Sequence, residues 1–330
     1  MSNRSIKKYL NSNPNAILVL DGGQGSELEN RGIEVANPIW STIPFVNESF
    51  WSNPASKDRE IVSGMYRDYL ASGSQGFTTV TYQASFKLVS ENTVIKTPAA
   101  YVELLSRIIA FTRECIGSDK WLVGSIGPWG AHNCSEFTGE YGPEPEKIDY
   151  LGYFEPQLSA FNGNGNLDLI AFETIPNFHE LKAILSWDES LISKPFYIGL
   201  SLHDNGKLRD GTSLQKIGEY IKSLGPKLNS NFTLLGVNCV SFDHSQSMLE
   251  ELHELLPELP LIAYPNSGEV YDSVQKVWTS KKVHGVTWDF LVKKFIESGV
   301  RMIGGCCRTT PADIKKISDA VHKYSKERAL

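Results

Sequence analysis

Two hydrophobic periods take turns along this chain. Short runs of consecutive apolar and β-branched residues, each ending in Gly, Asn, Pro or an acidic residue, recur from one end to the other. They are ILVLDGG (17–23), GFTTVTYQAS (76–85), WLVGSIGP (121–128), DLIAFETIP (168–176), FYIGLSLHD (196–204), FTLLGVNC (232–239), LPLIAYPNSG (259–268) and VRMIGGCCRT (300–309). Near-continuous apolarity is what parallel strands covered on both faces require. Between the runs, apolar residues recur three and four apart, as in REIVSGMYRDYLASG (59–73), AAYVELLSRIIAFTREC (99–115), TSLQKIGEYIKSLG (212–225), HSQSMLEELHELLP (244–257) and TWDFLVKKFIESG (287–299). That is the period of an amphipathic helix. Several of these segments end at Gly, and TTPADIKKISDAVHKY (309–324) opens on a Thr cap with Pro311 in its first turn. Repeated strand-to-helix alternation predicts an α/β fold: one (β/α)8 TIM barrel domain over 1–330 rather than two domains. The N-terminal residues are expected to form a short lead-in helix that closes the barrel bottom.

In such a barrel the chemistry collects where the strands end. Those ends carry Asp21, Thr79 and Thr81, Gly127 with Trp129, Glu173, Ser201 with His203, Asn238 with Cys239, Asn266, and Cys306 with Cys307. Three of the five cysteines fall among them. An odd, sparse set of cysteines argues against a disulfide framework and leaves reduced thiols or metal ligands. The sixth and eighth strands of a barrel lie about 10 Å apart, so a metal between their ends is reachable. Three thiolates around Zn2+ would leave one tetrahedral position open, the pattern of a catalytic site. The two glycines before Cys306 are expected to turn the backbone so that both neighbouring thiols face the ion. Cys115, within a helix, and Cys134, in a loop, read as packing residues.

Composition narrows the partners. The chain is 41% hydrophobic and 21% charged, as a folded globular protein is, and its net charge of −6 comes with no basic run. Nucleic acid and anionic membranes, which need clustered Lys and Arg, are therefore excluded as main partners in favour of a small molecule. No window has the length of a signal peptide's apolar core or of a membrane span, which predicts a cytoplasmic protein. Two alternatives stay open on the residues alone. One is a non-catalytic zinc protein with a fourth ligand such as Cys134 or His203; the other is a phosphate-handling barrel using the glycines at 304–305 as an anion cradle.

DGGQGSELENRG (21–32), NPIWS (37–41), VTYQAS (80–85), SIGPWG (125–130), FETIPN (172–177), GVNC (236–239), YPNSGEVYD (264–272) and GGCCRTTP (304–311) together resemble the homocysteine S-methyltransferase family. The likeness runs from about residue 16 to about residue 322 and is strongest toward stand-alone enzymes that use S-adenosylmethionine or S-methylmethionine. It implies that homocysteine's sulfur fills the open position on a zinc held by Cys239, Cys306 and Cys307, takes a methyl group from a sulfonium, and leaves as methionine. No cobalamin or folate module is expected. No catalytic residue is needed beyond the metal-activated substrate thiolate, so His203 has no proton to remove. Glu173 matches the family's acidic residue on the substrate ammonium, and Asp21 with Gly22 sits where the family also contacts substrate. Thr79 and Thr81 are candidates for the substrate carboxylate, and Asn238 for orienting the metal site or the substrate. Trp40, Tyr82 and Trp129 are candidates for a donor pocket, since aromatic faces attract cations. The stretch 266–285 is expected to be a lid, with Val270, Tyr271, Val277 and Trp278 as its apolar underside.

Overall fold

The computed structural model describes residues 5–272, 277–280 and 286–328, with side chains over 5–268 and 286–325. Eight strands form the ring: β1 (Leu18–Val19), β2 (Gly76–Thr78), β3 (Trp121–Ile126), β4 (Leu169–Ile175), β5 (Phe196–Leu200), β6 (Phe232–Asn238), β7 (Leu261–Tyr264) and, after an antiparallel hairpin of β8 (Glu269–Asp272) and β9 (Val277–Ser280), β10 (Val300–Ile303). They pair in parallel in the order β1-β10-β7-β6-β5-β4-β3-β2. A parallel bridge between Leu20 and Gly76 joins the two ends. The expected (β/α)8 barrel is present.

The helices are α1 (Ile6–Ser12), α2 (Gln24–Asn30), α3 (Glu48–Ser52), α4 (Lys57–Ala71), α5 (Phe86–Asn92), α6 (Pro98–Ile116), α7 (Tyr150–Asn162), α8 (Phe178–Ser186), α9 (Leu214–Leu224), α10 (Ser245–Leu255), α11 (Trp288–Glu297) and α12 (Pro311–Arg328). Their starts follow the local sequence. Ser56, Ser85, Thr97, Ser213 and Thr287 each accept a hydrogen bond from a backbone N–H of the first turn, which satisfies a donor the helix leaves orphaned. Thr310 and Asp313 do the same reciprocally at the start of α12.

Two cores result. The larger lies between sheet and helices; the smaller fills the barrel with Leu18, Leu20, Trp121, Val123, Leu169, Ala171, Tyr197, Leu234, Ile262, Tyr264 and Met302. Ile6 and Leu10 of α1 belong to this inner cluster, and Tyr9 packs 5.5 Å from Trp121. Arg301 fastens the segment by donating to the carbonyls of Leu10, Asn13 and Ala16. An aliphatic plug at the strands' N-terminal end leaves only the opposite mouth for polar chemistry.

Two segments differ from the sequence pattern. The run at 76–85 yields a strand only to Thr78, because Thr81 N–H turns back to Thr79 O and Thr42 takes the Val80 carbonyl. The stretch 266–285, expected as a lid, contains the β8–β9 hairpin, with Val270 opposite Thr279 and Tyr271 opposite Trp278. Its proposed apolar underside lies outside the described side chains.

Gly236 sets the closest strand contact, since a Cβ there would lie 1.7 Å from the Ile262 carbonyl oxygen. Gly236→Ala is expected to cost at least about 3 kcal/mol in denaturant unfolding by forcing β6 from β7. Gly165→Ala, whose Cβ would meet nothing within 4 Å, is the silent control.

Candidate metal centre and substrate site

The three strand-end thiols converge. Cys239 Sγ lies 3.8 Å from Cys307 Sγ, which is 4.0 Å from Cys306 Sγ, and all three sulfurs fall within 4.8 Å of one another. Three ligands at ~2.3 Å from a tetrahedral ion would be about 3.8 Å apart, so the donor set is of the size that suits zinc. Among the described residues this is the sole cluster of three or more Cys, His, Asp or Glu able to hold a metal.

The backbone makes the convergence. Cys239 leaves β6 in the left-handed region at φ 53°, a conformation that is costly for a non-glycine residue. Cys306 N–H donates to Pro265 O at 2.8 Å, and Ser267 N–H donates to Cys307 O at 3.1 Å. The glycines act differently from expectation. Neither Gly304 nor Gly305 has a positive φ; the left-handed residue of this turn is Arg308. They are small because a Cβ on Gly304 would lie 2.7 Å from that of Leu20, and one on Gly305 would lie 2.0 Å from the Thr309 methyl. Gly22 follows the same rule, its Cβ position being 2.4 Å from Thr309 O. The thiols share charge unequally. Cys239 is pushed well below its ordinary range by the S–H groups of Cys306 and Cys307, with Arg209 adding to the effect, while the same sulfur contacts push Cys306 and Cys307 up.

Below the thiols lie two carboxylates. Asp21, 3% exposed, accepts from Gln24 Nε2 at 2.7 Å and from Thr78 N at 3.0 Å. Glu173, 8% exposed, accepts from Ser125 Oγ. Burial pushes both up to about 7, and Glu173 adds its repulsion to Asp21. Glu173 reaches the interior because β4 bulges there, with Thr174 at φ 60°. Asn238 clamps that bulge by accepting from Thr174 N at 2.7 Å and donating to Thr174 Oγ1 at 2.8 Å. Nearby, Tyr197 and Tyr264 pack edge to face at 6.1 Å, and the Tyr264 hydroxyl partly offsets the effect of burial on Glu173.

The homocysteine S-methyltransferase family model matches residues 18–321. The chain belongs to that family. It is 60% identical to Homocysteine S-methyltransferase 2 of Saccharomyces cerevisiae, over 98% of this chain and all of that protein. Homocysteine S-methyltransferase 1 of the same yeast is 57% identical over 97% of this chain and 98% of its own length. The fold superposes with a TM-score of 0.71 on the metallated form of the homocysteine methyltransferase MmuM from Escherichia coli, at 28% identity, covering 95% of this chain and 99% of that one.

Against the family's expected site, the structure brings Asp21, Gly22, Glu173, Cys239, Cys306 and Cys307 to one mouth. Thr79 and Thr81 are not free to bind a carboxylate. Thr81 Oγ1 donates to Ser125 O at 2.7 Å, Thr79 Oγ1 bonds Thr81 Oγ1 at 2.6 Å, and Ser125 N donates to Thr79 Oγ1. Asn238 spends its amide on Thr174, so it supports Glu173 rather than reaching substrate. Tyr82 pairs edge-on with Trp40 at 5.9 Å, and Trp40 lies where a Cβ on Gly25 would be. Trp129 instead stacks on His132 and Tyr141. Gln24, Thr78, Ser125, Thr174, Tyr197 and Tyr264 were missed from sequence. Of these, Tyr197 and Tyr264 carried a usable signal, as large polar-tipped residues in strands that fill a barrel.

A carboxyl raised on folding stabilises the protein fully below its unfolded pKa of about 4, and that contribution is lost as pH rises through its folded value. With Asp21 and Glu173 both near 7, the substrate-free protein should lose thermal stability between about pH 4 and 7. Glu173→Gln should flatten that loss by an amount on the order of a few kcal/mol, read by calorimetry across pH. A steeper loss in the variant would contradict the assignment.

Proposed function

We propose a zinc-dependent homocysteine S-methyltransferase of one barrel domain, in which Cys239, Cys306 and Cys307 hold the ion and a sulfonium donates the methyl group. Methyl transfer to homocysteine, giving methionine, is the family's reaction and is supported by 60% identity across nearly the whole chain. The finer reading is carried by one observation, the convergence of the three sulfurs to within 4.8 Å of one another. Zinc in that position supplies the Lewis acidity that keeps a thiol deprotonated at neutral pH.

The chain's own groups supply the rest. Glu173 and Asp21 receive the homocysteine ammonium, whose positive charge offsets two buried carboxylates that otherwise favour their neutral forms. The aliphatic plug beneath them keeps water out of the interior. Tyr82, with Trp40 at its edge, offers its face to the sulfonium. The thiolate sulfur then forms the new S–CH3 bond as the donor's S–CH3 bond breaks, its electron pair neutralising the sulfonium as a thioether. No side chain has to move a proton in that step, and holding S, CH3 and S in line accounts for roughly several kcal/mol of barrier lowering. S-methylmethionine and S-adenosylmethionine both carry the required cation.

Two observations weigh against the alternatives. No fourth Cys, His, Asp or Glu joins the cluster among the described residues, which favours an open position over a closed structural site. Gly304 and Gly305 donate their N–H groups to Ala263 O and Asp21 O, leaving no anion cradle. No described helix is long and apolar enough to cross a membrane. We place the protein in the cytosol, where its five free cysteines stay reduced.

The purified protein is expected to hold about one zinc per chain. Cys239→Ser, Cys306→Ser or Cys307→Ser should each abolish zinc binding and activity while the fold persists, measured by metal analysis and by initial rates with both donors. Full activity in any one of them overturns the reading. Cys115→Ser should change little, since burial pushes that thiol up to about 11 and keeps it inert.

A further inference from the structure

Two ionisable groups at the mouth make no ion pair among the described residues. Glu136, in the short 3-10 turn Ser135–Phe137 after β3, is 4% exposed, and its Oε2 meets no hydrogen-bond donor. Arg209, half-buried in the connection from β5 to α9, makes no ion pair among the described residues. Its guanidinium reaches Ser201 Oγ at 3.2 Å and His203 Nδ1 at 3.4 Å. The two segments touch: a Cβ on Gly139 would lie 2.4 Å from Asp210 N and 2.9 Å from the Arg209 Cβ. Both groups lie within electrostatic reach of Cys239, and Glu136 also within reach of Tyr82.

An acid and a base desolvated side by side should pair with one another, because each is costly when buried alone. Here they do not. Kept apart on adjoining segments, they match a ligand that carries one charge of each sign, as the head of an α-amino acid does. Glu136 is fixed by its loop, not free to swing: Glu180, fully buried, accepts from Trp129 N at 2.6 Å and from Tyr141 Oη at 2.6 Å, and Tyr141 Oη accepts from Gly130 N at 3.0 Å. Homocysteine is one amino acid, and Glu173 with Asp21 already meets its ammonium. The second amino acid in the reaction is the donor.

We propose that Glu136 and Arg209 clamp the amino-acid arm of the sulfonium donor, Glu136 taking its α-ammonium and Arg209 its α-carboxylate, with Tyr82 beside the sulfonium. This rests on the function proposed above. It makes the enzyme selective for the methionine-like arm that S-methylmethionine and S-adenosylmethionine share. A guanidinium suits the task because it meets a carboxylate with two parallel N–H groups. None of the sequence motifs pointed to either residue, since a lone Glu in a loop and a lone Arg beside Asp210 look like ordinary surface charges.

The test is steady-state kinetics of the zinc-loaded full chain with S-methylmethionine and two truncated dimethylsulfonium donors. One lacks the carboxylate (3-aminopropyl-dimethylsulfonium) and the other lacks the amino group (4-dimethylsulfoniobutanoate). The wild type should use each truncated donor at least about tenfold less efficiently in kcat/KM, the scale on which a site with unpaired buried polar groups rejects an analogue. Arg209→Met should raise the S-methylmethionine KM about tenfold or more and lose the preference over the carboxylate-free donor, while keeping the preference over the amino-free one. Glu136→Gln should show the converse. In both, zinc content and the homocysteine KM should stay within about twofold, and Arg209→Lys should restore part of the discrimination. Unchanged discrimination, a parallel rise in the homocysteine KM, or loss of zinc overturns the clamp. A wild type that turns over no sulfonium donor at all refutes the proposed function itself and takes this inference with it.

Discussion

Backbone hydrogen bonds across the seam between the turn after β1 and the turn after β10, two neighbouring strands of the ring, set two of the three thiols. Gly305 N–H reaches Asp21 O at 3.1 Å, Gly23 N–H reaches Thr309 O at 2.9 Å, and the Tyr69 hydroxyl shares that last carbonyl at 3.0 Å. Glycine pairs on both sides are a condition of the contact, because a Cβ at 22, 23, 304 or 305 would sit within 2.8 Å of atoms across the seam or within its own turn. Asp21 is thereby drawn into the same small volume as Cys306. Packing of these two turns and assembly of the site are therefore coupled, and a disturbance of either turn reaches both.

What gathers at this mouth is a cluster of acidic groups and thiols. Asp21, Glu173 and Glu136 are buried acids, each pushed up to about 7 by desolvation, and three thiols stand beside them. Tyr197, Tyr264 and the apolar interior pack beside these groups, and Arg209 brings positive charge toward Cys239. Such a cluster favours cations, and the proposed reaction would present three kinds: a divalent metal, an ammonium and a sulfonium. Glu180 is the instructive exception. It is equally buried and equally raised, but hydrogen bonds from Trp129 and Tyr141 occupy it, so it holds a loop in place instead of awaiting a ligand.

Particular residues show what reading the chain can place. The cysteines, Asp21 and Glu173 are legible because each ends an apolar run, and a barrel strand that ends marks the site's rim. Thr79 and Thr81 occupy equally good positions and fail, since their hydroxyls bond each other and the neighbouring Ser125 backbone. Asn238 likewise belongs to the bulge at Thr174. Position along a strand tells which end a residue faces, but not whether its polar atoms are already spent.

The sequence by itself determined the eight barrel strands, the longer amphipathic helices between them and the placing of Cys239, Cys306 and Cys307 at strand ends, because hydrophobic periodicity and strand-end placement are local properties. Tertiary structure decided which polar groups remain available. The Thr79–Thr81 pair, the Asn238 clamp, the isolation of Glu136 from Arg209 and the close-packing role of Gly304 and Gly305 all depend on contacts between segments far apart in the chain. A hydrogen bond or a steric overlap exists only between atoms brought within a few ångströms, and no local pattern records which distant segments folding will bring together.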